Sequence, residues 1–128
     1  MNYEVAIIIP WFNTRDINRS RALIHVRDHL SKMNIGRIYH GEATDKPLNR
    51  SKMRNYGARK AIADGAKVLL FHDADCLFDE AKLRETIDVI KQRDGVVIPY
   101  NSYPQYMTEA QTAEILAGRN YKDFIQRR

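Results

Sequence analysis

Residues 3–12 read "YEVAIIIPWF", an apolar run with three consecutive isoleucines that stops at Pro10. Three consecutive isoleucines have no polar side. Alternate side chains of a strand point to opposite faces, so both faces of this strand need cover. The run is short, β-branched and stopped by proline, which favours a strand over a buried helix. A strand that is apolar on both faces belongs inside a parallel sheet, with helices packed above and below. That inference points a chain of 128 residues, the size of one domain, to the α/β class.

The rest of the chain alternates in the way this class requires. Residues 14–33 carry Ile17, Leu23, Val26, Leu30 and Met33 at near-helical spacing with charges between them. "IGRIYHG" (35–41) is a weaker second strand, and the polar "EATDKPLNRSK" (42–52) is a loop. Residues 50–65 form a helix with Met53, Ala58, Ala61 and Ile62 on its buried side and Gly65 as its stop. Gly57 inside it costs roughly 1 kcal/mol against alanine, which predicts close approach to a backbone or a ligand. "AKVLLFH" (66–72) is the next strand. Asp79 caps a helix over 80–93, where Leu83, Ile87 and Ile90 make the apolar stripe. "GVVIPY" (95–100) reads as a fourth strand, and "TEAQ" (108–111) opens a last helix that stops near Gly118. The alternation predicts a Rossmann-like parallel sheet of about four strands, with right-handed crossovers and helices on both faces.

Composition excludes some classes. No apolar run approaches the ~20 residues of a membrane span, and the N-terminus has neither a basic region nor a small-residue cleavage site. Cys76 is the only cysteine, so no internal disulfide forms, which fits a reducing, cytoplasmic setting. The formal net charge of +5 includes a dense basic stretch, "NRSKMRNYGARK" (49–60). No zinc-finger or RNA-recognition pattern accompanies it, so a phosphorylated small molecule is a better expectation than nucleic acid. A simply solvated basic surface is the competing explanation.

Ligands of an open parallel sheet lie beyond the carboxyl ends of its strands. Three informative stretches fall there: "PWFN" (10–13), "GEATDK" (41–46) and "DADC" (73–76). Asp73 and Asp75 at the end of an apolar strand are costly unless paired or bound to a cation. Mg²⁺ or Mn²⁺ beside a nucleotide takes such carboxylates together with phosphate oxygens. Arg50, Lys52, Arg54 and Arg59 can balance a diphosphate, and Trp11 and Phe12 can flank a base. The alternatives are a strand-end turn that caps the next helix, a solvated helix face, and aromatic cover for the sheet edge.

In this order, "VAIIIPWFN", "NRSKMRNYGARKA" and "VLLFHDADCLF" resemble the nucleotide-sugar-binding half of a GT-A glycosyltransferase. The pattern is similar to family-two enzymes, whose first strand ends P-x-Y-N. It is similar also to the galactosyltransferase branch, where F-N-R-x-K-x-x-N-x-G precedes a D-x-D motif. The match covers residues 5–78. The resemblance implies a GT-A core with strand order 3-2-1-4 and a UDP-sugar donor bound with Mn²⁺ or Mg²⁺. It implies that Pro10, Trp11, Phe12 and Asn13 sit against the base and ribose, and that Glu42 or Asp45 reads the uracil edge. Arg50 and Lys52 then lie near the diphosphate, Asp73 faces the ribose and the metal's water shell, and Asp75 coordinates the metal.

Departures accompany the resemblance. Family members are longer, and their second half supplies an acceptor site, a carboxylate base and often a metal-binding histidine. All four histidines here precede Asp73. The expectation is therefore a single domain, 1–128, lacking most of the acceptor half. It is either an inverting glycosyltransferase for an unknown acceptor, or a non-catalytic nucleotide-sugar-binding module that needs a partner chain. A different Mg²⁺-dependent phosphotransferase or hydrolase ranks last, since no nucleophile signature supports it. An uncovered sheet edge further predicts a homo-oligomer.

Overall fold

A computed structural model of the chain describes residues 4–11, 16–42, 49–99 and 105–125. Strand β1 (Val5–Trp11) is central in a three-stranded parallel sheet, between β2 (Arg37–Glu42) and β3 (Val68–Phe71). Ile7 lies opposite Ile38 and Leu70, and Ile8 opposite Tyr39 and Phe71. Val5 to Ile9 are at most 1% exposed.

Each face of β1 has its own helical cover. Val5, Ile7 and Ile9 pack against Leu23, Val26, Leu30 and Met33 of α1 (Ile17–Met33) and against Leu83 and Ile87 of α3 (Glu80–Lys91). Ala6 and Ile8 pack against Tyr39 and against Ala58 and Ala61 of α2 (Arg50–Ala63). The α/β class with helices on both faces is thus observed. Burying one isoleucine contributes roughly 1.5–3 kcal/mol, so this short strand carries a large share of the fold's stabilisation.

The α2 face is tight because its contacts are small. A Cβ on Gly41 would lie 1.9 Å from the Met53 carbonyl oxygen, and one on Gly57 would lie 2.8 Å from Ile8 Cγ2. Gly57 is therefore explained by close approach to β1 and β2. Helix starts follow the capping rule. Asp16, Asn49, Asp79 and Thr108 accept from the backbone N–H of Asn18, Lys52, Ala81 and Gln111. Thr108 and Gln111 form the expected capping box on α4 (Glu109–Leu116), and a short 3-10 turn follows at Tyr121–Phe124. No helix among the described residues is long and apolar enough to cross a membrane.

Two expectations are corrected. The strand order is β2-β1-β3, not 3-2-1-4. Right-handed crossovers on opposite faces move the chain in opposite directions across a sheet. With α1 and α2 on opposite faces, the chain steps from β1 to β2 and then back past β1 to β3. Residues 95–99 form no strand, and Tyr100 lies outside the described residues. Helix α3 shares the α1 face, so a right-handed crossover from β3 leads back across the sheet and not to the outer edge of β3.

Candidate metal site at the carboxyl end of β3

The ladder between β1 and β3 runs one residue past Phe71. The His72 N–H donates to the Ile8 carbonyl at 2.9 Å, and the side chain is only 2% exposed. His72 Nδ1 lies 2.8 Å from the Asp73 carbonyl oxygen. A carbonyl only accepts, so Nδ1 carries the proton and Nε2 a lone pair. Nε2 is buried with no hydrogen-bond partner among the described residues. Burial pulls the His72 pKa below its ordinary value, against the opposing pull of Asp73, so the ring is neutral at pH 7. Its edge meets Phe78, with ring centroids 5.3 Å apart. His72 anchors the turn that follows and adds no charge to it.

That turn exposes two carboxylates. Asp73, Asp75 and Cys76 each bring one ligand atom to within 4.8 Å of the other two. Cys76 N–H reaches the Asp73 carbonyl at 3.5 Å, and the thiol donates to Asp75 Oδ1 at 3.7 Å. Burial, then Asp75 and Asp73, push the Cys76 thiol up to about 11. A protonated thiol is a poor ligand, so the donor set offers two hard oxygens before it offers sulfur. Such a set fits Mg²⁺ or Mn²⁺, which keep several waters and complete their shells with phosphate.

The opposing charge comes from α2. The helix runs antiparallel to the strands, so its first turn opens at the rim where β3 ends, and no acidic residue occupies that turn. Its positive dipole end favours anions there. Arg54 Nη2 lies 3.5 Å from Asp73 Oδ1, with both side chains partly exposed. An exposed pair of this kind contributes at most about 1 kcal/mol, so it is easily exchanged for another partner. Arg50, Lys52 and Arg59 are exposed on the same helix.

The remaining expected residues divide between two groups. Pro10 pairs with Gly41 and Trp11 with Glu42 at the end of β1, at the same rim. Trp11 is half-buried against the core on the α1 face. Phe12, Asn13 and Asp45 lie outside the described residues, as does the side chain of Glu42. Two features were not singled out by sequence. Cys76 counts there only as a lone cysteine that excludes a disulfide, and Arg54 is only one of four basic candidates. Residue type alone separates neither from its neighbours. No protein-family model, curated protein or solved structure matches the chain.

Proposed function

We propose that this chain is the nucleotide-sugar-binding core of a GT-A-type glycosyltransferase, taking a UDP-sugar with Mn²⁺ or Mg²⁺ and passing the sugar to an acceptor. The observation that supports it most directly is the pair Asp73 and Asp75 just beyond the half-buried parallel strand β3, with Asp73 facing Arg54 of α2. Acids for a cation and a helix N-terminus for phosphate meet at one rim. A cation held there supplies charge neutralisation for the diphosphate as it leaves the sugar. Arg54 offers a guanidinium within reach of an anion held beside Asp73. Pro10 and Trp11 give the base a surface at the end of β1. In this reading Phe12, Asn13, Glu42 and Asp45 complete the nucleoside pocket, and Arg50 and Lys52 add to the phosphate field.

Calorimetric titration of UDP, with Mn²⁺ and then with chelator, tests the reading. The expected result is metal-dependent binding that an Asp75→Ala variant loses. Binding unchanged in that variant, or no binding under either condition, overturns it. Incubation with a UDP-sugar then separates two roles. Sugar transfer or donor hydrolysis marks an enzyme, and binding without turnover marks a module that relies on a partner chain.

A further inference from the structure

The second half of α1 carries His25, His29 and Lys32, four and then three residues apart, so all three fall on one stripe of the helix. That stripe lines a cavity of about 370 Å³, a volume in the range of small-molecule sites. Arg119 and Lys122, from the segment around the 3-10 turn, line it as well, together with Glu80 at the start of α3.

The charge of the lining is one-sided. Lys32, Arg119 and Lys122 stand against one carboxylate, that of Glu80, which Arg84 holds at 3.0 Å. Arg119 pairs with Glu114 at 3.1 Å and Asp123 at 3.4 Å, and Lys122 with Asp79 at 3.8 Å, but all of these side chains are about half exposed. Such pairs are weak and exchange readily for another anion. Lys32 has neither a hydrogen bond nor an ion pair among the described residues.

The histidines narrow the choice of anion. His29 Nε2 lies 3.1 Å from the Phe78 carbonyl oxygen. A carbonyl only accepts, so Nε2 carries the proton and Nδ1 a lone pair. The Tyr121 ring meets the His29 ring edge-on, with centroids 5.6 Å apart. The Tyr121 hydroxyl is buried with no hydrogen-bond partner among the described residues, a donor left for an oxyanion. A phosphate group takes hydrogen bonds from lysine and arginine, and it titrates at about pH 6, so it can also share a proton with an imidazole. A carboxylate is fully ionised there and has no proton to share.

We propose that this cavity binds the phosphate group of a small phosphorylated molecule. Lys32, Arg119 and Lys122 supply the charge, His25 and His29 share the proton, and the remaining volume takes the body of the ligand. None of these residues belongs to the Asp73–Asp75 rim, so the inference stands independently of what that rim binds.

The probe is inorganic phosphate, titrated at constant ionic strength with EDTA present and followed by the imidazole and amide signals in ¹H–¹⁵N spectra. Saturable shifts of the His25 and His29 rings are expected. Lys32→Glu, changed at an exposed position, should weaken binding at least about tenfold, while Lys32→Arg should keep it. The His40 signal, from β2, reports in each case that the fold is intact. Four outcomes overturn the proposal. They are no saturable shift, equal affinity in Lys32→Glu, equal affinity for acetate, and amide shifts centred on residues 73–76 and not on 119–122.

Discussion

Strand β1 and residues 95–98 look alike in sequence and end in opposite environments. Both are short, rich in β-branched residues and run into a proline, although β1 continues through Pro10 to Trp11. Ile7, Ile8 and Ile9 are fully buried, while Val96 is 93% and Ile98 66% exposed. Hydrophobic residues state a need for cover and do not create the neighbour that provides it. Strand β1 has a partner on each side and helices above and below. The 95–98 segment follows a helix on the wrong face for a right-handed step to the outer edge of β3. Strand propensity is a measure of fit to a surrounding sheet, and here the surroundings differ.

The sharpest test of this contrast is truncation on both sides of it. Ile8→Ala should lower unfolding free energy by about 2–5 kcal/mol in urea titrations, since it leaves a cavity between β1 and α2. A loss under 1 kcal/mol would mean that the centre of the sheet is loosely packed.

Glycines extend the comparison to the backbone. Gly41→Ala places a methyl 1.9 Å from the Met53 carbonyl oxygen, so α2 must move away from the sheet, at a cost of about 1–3 kcal/mol. Gly95→Ala meets open space and suffers only from its positive φ of 121°, about 1 kcal/mol. Thermal melts of the two variants should rank in that order, and the reverse order would refute the close contact.

The rim that β1 and β3 build together should respond to metal. At a hundredfold excess over its Kd, Mn²⁺ should stabilise the protein by about 2.7 kcal/mol. An Asp75→Asn variant should lose this shift, whereas any effect at the 95–98 segment should be absent. An equal shift in Asp75→Asn would mean the ion binds elsewhere.

A pH titration reads burial at the end of the same ladder. The folded pKa of His72 lies below its unfolded value of 6.5, mainly through desolvation. The unfolded chain therefore binds more protons in the window between the two values. Stability is full above about pH 6.5 and falls with acid, by at most about 1.4 kcal/mol per pH unit for this group. His25 is shifted in the same direction and adds to the slope. His72→Phe should flatten the acid limb measured by urea midpoints, and an unchanged limb would assign it to other groups. The smallest effect is expected at Val96→Ser, within about 0.5 kcal/mol, because the side chain is already in water. A loss of 2 kcal/mol there would show that this segment is covered after all, and would erase the contrast with β1.

Much of the candidate site is legible in residue order. Two acids after an apolar strand, and a basic stretch that opens a helix, place both charges at one end of a parallel sheet. Which of the four basic side chains meets Asp73 is not legible. Arg54 does so because buried Met53 and Gly57 set the rotation of α2, and that rotation depends on Gly41 in another strand. The proximity of Cys76 to both carboxylates is likewise a property of the turn's path.

By itself the sequence determined much of what must be buried and where chain direction changes: the isoleucines of β1, the helical stripes apart from Ile17 and Ile62, which are exposed, the capping side chains and Gly65. These are local requirements, written in side-chain chemistry within a few residues. The tertiary structure alone decided the β2-β1-β3 order and the exposure of residues 95–98. Each depends on which face a helix chooses, and that choice is settled by packing between residues far apart in the chain.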